Sequence, residues 1–249
     1  MGSVRAAAVI AGRELKSLFL QPLAWVVMTA VLFLDGVHFW QVLALFNEQG
    51  APSSELVRFF FSSLLFWLPL LIALPVISMR LLAEERQTGT LETLLTAPVT
   101  EAQVVVGKYV AALVFFVVLW SPLFIYVSIL DYFGDVDWWS AAAGFLGLLL
   151  AGGLLLAAAL CASTLTRNQI VAAVVGFVVV LVLFVVPVLA GLLARDELWQ
   201  AFFRHVDLYG AMDEFARGIV RSSRLVYPVS GTILLLFAAA RMLEASKGD

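Results

Sequence analysis

Residues 170–193 read IVAAVVGFVVVLVLFVVPVLAGLL, an apolar run without one charged side chain. A helix needs about 20 such residues to cross a hydrocarbon core of about 30 Å. Working outward, further predominantly apolar runs cover Leu23–Leu45, Val57–Leu81, Val104–Leu130, Ala141–Leu165 and Val226–Leu243. A transmembrane barrel would instead show segments of about ten residues with alternating polarity. The sequence therefore predicts an all-α polytopic membrane protein with about six transmembrane helices. Composition agrees. Of 249 residues, 63% are hydrophobic and 13% charged, and the mean hydropathy is +1.02. A soluble domain is about 45–50% apolar and about 25% charged, and a fold of this length leaves too much surface in water to hide the excess. A soluble globular protein and a disordered chain are both excluded. The net charge of −3 gives no basic footprint for nucleic acid. The single cysteine, Cys161, rules out a disulfide framework and a cysteine-based zinc site.

Topology follows from lysine and arginine. Arg5, Arg13 and Lys16 precede the first span; Arg80, Arg86 and Lys108 lie between the second and third; Arg167 sits in the turn after the fourth; Arg241 and Lys247 follow the sixth. The loops around Asn47–Glu55 and Asp131–Asp137 have no lysine or arginine. Both termini are expected in the cytoplasm, against the dissent of Arg195, Arg204, Arg217, Arg221 and Arg224 in the last outer loop. The start lacks the pattern of a cleaved leader. Ala6 stands where a myristoylation motif requires Ser or Thr.

Three segments are neither span nor simple loop. Residues 1–22 carry Val4, Ala7, Ala8, Ala11, Leu15, Leu18 and Phe19 at helical spacing, with Arg5, Arg13 and Lys16 placed for headgroups; this predicts an amphipathic helix in the cytoplasmic interface, ended at Pro22. It reads equally as a lipid anchor or as a partner contact. Spans one and two occupy 23–81. In residues 82–101, Gly89 ends the second helix, Thr90 caps a short new one, and Glu92 complements its dipole. Leu91, Leu94 and Leu95 share a face, Pro98 stops the helix, and Thr100 with Gln103 forms a capping box for the third span. Leucines exposed on a capped helix form a docking surface, the alternative being burial against the bilayer surface. Spans three to five fill 102–193. The outer segment 194–225 places Met212, Phe215 and Ile219 on one face and pairs Asp213 with Arg217 at i,i+4, so short amphipathic helices are expected to re-enter the outer interface. The last span and a cytoplasmic tail occupy 226–249, and the whole chain forms one membrane domain.

The run Glu84-Glu85-Arg86-Gln87-Thr88-Gly89-Thr90-Leu91-Glu92-Thr93-Leu94-Leu95-Thr96-Ala97-Pro98-Val99 resembles the signature of type-2 ATP-binding-cassette permeases. It is most similar to the small six-span subgroup that includes the gliding-motility permease and the nitrous-oxide-reductase maturation permease. Arg13-Glu14-Leu15 with Pro22, and Phe215-Ala216-Arg217-Gly218-Ile219-Val220 before the last span, extend the resemblance along the chain. The linker Arg221-Ser222-Ser223-Arg224 departs from it, because the subgroup carries an acidic residue there. The resemblance implies a permease subunit in the cytoplasmic membrane, working as a homo- or heterodimer with two copies of a separate ATPase and with accessory membrane or periplasmic partners. It implies a coupling helix whose contact surface is Glu84, Glu85, Gly89, Thr90, Leu91, Glu92, Leu94, Leu95 and Pro98, beside an N-terminal helix that also meets the ATPase. The residues are consistent with that. No G-x-x-x-x-G-K-[ST] phosphate loop is present, since Tyr109 follows Gly107-Lys108. ATP and magnesium are therefore expected in a partner chain, and no cofactor in this one.

Asp35, His38 and Gln41 form a polar stripe in the first span. Ionisable groups in a membrane are costly and mark function by default. Asp35 and His38 are spaced to meet each other, or lie near the outer end where water reaches them. Pro69, Pro75, Pro122 and Pro187 fall within spans and are candidate kinks. Ala143, Gly147 and Ala151 allow close helix contact, within the fold or across a dimer seam. Trp25, Trp138, Trp139 and Trp199 mark span ends. An intramembrane zinc enzyme is disfavoured, because neither histidine sits in H-E-x-x-H, and no metal is expected. A force-transmitting or anchoring subunit that moves no solute remains as the alternative.

Overall fold

A computed structural model describes residues 3–49, 53–88, 99–133 and 135–245, and among these every regular element is helical. In chain order they are α1 (Ser3–Leu20), α2 (Pro22–Gln49), α3 (Ser53–Ser62), α4 (Leu64–Thr88), α5 (Glu101–Trp120), α6 (Leu123–Phe133), α7 (Trp138–Ser163), α8 (Gln169–Leu193), α9 (Glu197–Val206), α10 (Leu208–Ala216) and α11 (Ser222–Ala245). Six stretches are long and apolar enough to cross a membrane: Pro22–Leu45, Leu64–Ala83, Glu101–Tyr132, Trp138–Ser163, Gln169–Leu193 and Ser222–Ala245. They coincide with the six expected spans.

Polar residues at the span ends serve the backbone. The Thr100–Gln103 capping box is present in both directions, and it starts α5. The side chains of Asp137, Asn168, Asp196 and Asp207 accept backbone N–H bonds at the starts of α7, α8, α9 and α10. Such bonds satisfy amides that a helix start leaves unpaired.

Two expected spans are interrupted. The run Val57–Leu81 breaks at Ser63, whose Oγ accepts from the Leu65 N–H at 3.1 Å and starts α4 afresh. The part before the break, α3, is a separate short helix. The run Val104–Leu130 breaks at Ser121-Pro122. Proline has no N–H to continue the ladder, and Ser121 Oγ donates to the Val118 carbonyl at 2.8 Å. Pro69, Pro75 and Pro187 lie inside continuous helices instead.

The bundle is built around α7, the most buried of the spans. Its small residues receive side chains from its neighbours. A Cβ on Gly144 would lie 2.8 Å from the Phe61 ring of α3, and one on Gly147 would lie 2.8 Å from Phe215 of α10. A Cβ on Gly152 would lie 2.3 Å from Phe116 of α5, and one on Gly153 would lie 2.9 Å from the Tyr109 hydroxyl, also on α5. Ala143 and Ala151 are buried as well. The small-residue stripe thus serves packing within this chain. In a bilayer such close approach, rather than the exclusion of water, is what holds helices together.

The N-terminal helix is part of the bundle. Gly107 of α5 is so close to α1 that a Cβ there would stand 2.9 Å from both the Ala7 carbonyl and Ile10. Ile10 and Leu18 are buried. Lys108, expected in the loop before the third span, lies within α5, its side chain wholly buried and its Nζ 3.3 Å from Glu14 Oε1. A charge placed among apolar helices needs such a partner, and Glu14 supplies it from α1.

Two outcomes are expected. Gly152→Ala overpacks α7 against Phe116 and lowers stability by about 1–3 kcal/mol, with recovery in Gly152→Ala/Phe116→Leu; thermal unfolding in detergent reads both. Lys108→Met removes the buried partner of Glu14, leaves its carboxylate to the exposed Arg13 and costs up to about 3 kcal/mol, whereas Glu14→Gln/Lys108→Met regains most of it in the same assay.

Candidate functional site

The segment expected to carry the coupling surface runs in the chain from the end of α4 to the start of α5. Gly89, Thr90, Leu91, Glu92, Leu94, Leu95 and Pro98 lie outside the described residues. Glu84 and Glu85 belong to the last turns of α4, which extends past the apolar span ending at Ala83. Nearby, Arg80 Nη1 donates to Gln21 Oε1 at 2.8 Å and fastens α4 to the start of α2. Arg5, Arg13 and Lys16 are on the exposed side of α1. Arg13 Nη2 is 3.0 Å from the same Glu14 carboxylate oxygen that faces Lys108. One carboxylate therefore ties the outer and inner faces of α1 together.

At the opposite end, the Asp35–His38–Gln41 stripe meets two short helices that enter the bundle. Gly147, against which α10 packs, is ten residues past the Asp137 cap, about 15 Å along α7 at 1.5 Å per residue. α10 thus packs well down α7 from its cap, and α3 lies beside it. Their junction is polar. Asp213 on α10 takes the Arg58 Nε–H at 2.8 Å and the Ser62 hydroxyl at 3.1 Å, both from α3, on one oxygen. Its other oxygen takes Arg217 at 2.5 Å, the pair the i,i+4 spacing predicted. Tyr209 donates its hydroxyl to the Ser62 carbonyl at 2.7 Å. Burial pushes the Asp213 carboxyl up, but hydrogen bonds from Arg58 and Arg217 outweigh it and hold the group below the ordinary carboxylate range. The junction is therefore charged at neutral pH and loses that contribution only as pH falls through the lowered pKa.

Between α2, α3 and α10 opens a cleft of about 410 Å³ whose walls include His38, Gln41, Arg58, Ser63, Tyr209 and Asp213. His38 is 3% exposed. Its Nε2–H donates to the Phe60 carbonyl at 2.9 Å, while Nδ1 has no hydrogen-bond partner. Asp35 is 1% exposed, and its Oδ1 has no hydrogen-bond partner either. The expected Asp35–His38 pairing is thus replaced by a bond from His38 to α3. Both residues face protein rather than lipid or bulk water. Arg58 is the member of this site that sequence reasoning missed. It lay in what read as the start of a span, and a charged residue there was the available signal.

The segment leading to α11 closes on the same cluster. Arg224 is 2.6 Å from Glu214 and also donates to the Arg204 carbonyl. Arg221 stands 3.7 Å from Glu214. Glu214 thus supplies, from α10, an acidic partner for both linker arginines. Trp139 donates its indole N–H to the Gly218 carbonyl at 2.9 Å and pins the same turn to α7.

A search of curated proteins returned no match. The family described as ABC-2 family transporter protein matches residues 9–240, from within α1 to within α11. With a six-span all-helical bundle and a match over nearly its whole length, the chain belongs to the ABC-2 transporter family, as a membrane permease component.

Proposed function

We propose that this chain is the permease subunit of a type-2 ATP-binding-cassette exporter, driven by a separate ATPase that docks on the segment between α4 and α5. The family match over residues 9–240 carries the reading. The arrangement of the coupling end supports it. The segment 89–98 joins the protruding end of α4 to the start of α5, so a push on it reaches both helices directly. α5 does not move alone, because Gly107 and the Lys108–Glu14 pair lock it to α1. A partner bearing on this end therefore acts on α1 and α5 as one body and on α4 as another. The break at Ser121-Pro122 lets α6 move apart from α5. The coupling surface is Glu84, Glu85, Gly89, Thr90, Leu91, Glu92, Leu94, Leu95 and Pro98. ATP and magnesium belong to two ATPase copies, and a second permease chain completes the complex. The chain sits in the cytoplasmic membrane with both termini inside.

Force transmission to an outer partner, without solute movement, is favoured by one observation. Leu198, Trp199 and Phe202 of α9 are 79%, 58% and 54% exposed at the end opposite the coupling segment. Export through the complex remains the leading reading, since α9 in a bilayer can place those rings among lipid headgroups.

Co-purification tests the proposal. The tagged chain expressed with its native neighbours is expected to bring down a phosphate-loop ATPase, and Leu91→Asp or Leu94→Asp to release it and cut ATP turnover by the complex at least tenfold. Absence of any associated ATPase, or indifference to both substitutions, contradicts the reading. Truncating the exposed side chains in Trp199→Ala/Phe202→Ala is expected to leave ATPase association intact. Loss of an outer protein partner in that variant, with unchanged ATP turnover, would favour force transmission over export.

A further inference from the structure

One buried carboxyl is left without a partner. Asp35 is 1% exposed, its Oδ1 meets no hydrogen-bond donor, and no lysine, arginine or histidine pairs with it among the described residues. The other charges inside the bundle are matched: Lys108 has Glu14, and Asp213 has Arg58 and Arg217. Asp35 lies thirteen residues beyond Pro22, about 20 Å along α2, well within a hydrocarbon core of about 30 Å. A bare carboxylate at that depth is far costlier than a neutral carboxyl, so the group keeps its proton there.

Aromatic side chains from α6 and α3 cover this part of α2. A Cβ on Gly36 would stand 3.6 Å from the Tyr126 hydroxyl of α6, and Phe39 stacks on the Tyr126 ring at 4.7 Å. The Phe60 ring of α3 is 4.9 Å from the His38 ring and 6.4 Å from that of Tyr126. Ionisable groups on the surrounding elements are engaged or distant. His38, one turn along α2, is held by the Phe60 carbonyl. On α3 stand Glu55 and Arg58, the latter on Asp213. On α6, Tyr126 and Tyr132 are neutral phenols, and Asp131 accepts from the Val136 N–H and the Trp138 indole. α4 carries Arg80, Glu84, Glu85 and Arg86 towards its C-terminus, and α1, joined to the start of α2, carries Arg5, Arg13, Glu14 and Lys16.

A proton has a short way out. His38 and Gln41, one and two turns beyond Asp35 on α2, line the cleft of about 410 Å³. The break at Ser121-Pro122 frees α6 from α5, so a displacement of α6 from α2 uncovers Asp35 towards that cleft. We propose that Asp35 is a proton-binding site whose occupancy sets the packing of α6 on α2. The carboxyl is protonated while Tyr126 and Phe39 stay in contact. When the helices part, the carboxyl O–H bond breaks, cleft water takes the proton, and a hydrated carboxylate remains. The closed packing thus binds one more proton than the open one, so it gains as pH falls and loses as pH rises. The site needs no ATPase to take up its proton, and it therefore stands or falls separately from the proposed export function.

Two measurements on the full chain in a neutral, ester-free detergent test this. Infrared difference spectra at about pH 7.5, where exposed carboxyls are ionised, are expected to show a protonated-carboxyl C=O band that Asp35→Asn removes and Asp35→Glu restores at a shifted frequency. Asparagine is close in shape to the neutral acid, so this variant is expected to fold, with thermal unfolding at neutral pH as the check. Spin labels at Trp40→Cys on α2 and Ile125→Cys on α6, both lipid-exposed positions, then report the packing in a Cys161→Ala background. Between about pH 6 and pH 9 the interlabel distances are expected to lengthen in the otherwise unchanged chain, to stay at the short value in Asp35→Asn, and to lengthen again in His38→Gln. A carboxyl band that survives Asp35→Asn overturns the proposal. So does a distance distribution that pH leaves unchanged, or one that responds to pH equally in Asp35→Asn, which assigns the response to another group.

Discussion

Four glycines of one helix set the geometry of this protein. Gly144, Gly147, Gly152 and Gly153 present bare backbone on α7, and rings from α3, α10 and α5 lie against them. Helices in lipid gain nothing from excluding water, so close packing of small against large side chains must hold them. Phe116 and Tyr109 seat α5 on α7, while Phe61 and Phe215 draw in α3 and α10. Neither short helix is long enough to span a bilayer. Each packs against protein, and Arg58 of α3 and Asp213 and Glu214 of α10 are held in ion pairs. The Arg58–Asp213–Arg217 cluster and the cleft beside it exist only because α7 leaves room for these two elements.

The spans were legible because span length and apolarity are local properties, so the six runs appear in the helices nearly as read. The breaks were not. Ser63 and the Ser121-Pro122 pair sit inside runs whose hydropathy never falls, and only hydrogen bonding by the serines and the missing proline N–H mark the ends. Charge was the second source of error. Lys108 was counted with the loop before the third span, and its partner Glu14 lies on a different helix, so no spacing joins the two. The Asp213–Arg217 pair was visible because it is spaced within one helix. The Arg58–Asp213 pair was not, since it joins α3 to α10 through the fold. Likewise, i,i+3 spacing put Asp35 beside His38, but the nearer partner of the imidazole is a carbonyl on α3. Sequence spacing reports neighbours within an element and is silent about neighbours brought by packing.

The two ends of the molecule differ in kind. At one, a buried ion pair and a glycine contact tie α1 to α5, the Arg80–Gln21 bond fastens α4 to the start of α2, and the segment between α4 and α5 is the proposed docking surface. At the other, the short helices α3 and α10 and the helix α2 line a polar cleft. α2 and α4 extend between the ends. A displacement at the first end has a mechanical route to the second, since α4 is fastened to the start of α2 and α2 carries the His38 wall of the cleft.

The central claim is that ATP binding by a partner at the 89–98 segment moves the walls of that cleft. Electron–electron double resonance tests it directly, with spin labels at Leu45→Cys on α2 and at Phe202→Cys on α9, which Asp207 joins directly to the α10 wall, in a Cys161→Ala background, in the permease–ATPase complex reconstituted in nanodiscs. The account predicts that the interlabel distance distribution shifts when ATP is trapped and returns after hydrolysis, and that Leu91→Asp abolishes the shift. An unchanged distribution while the ATPase turns over would contradict it.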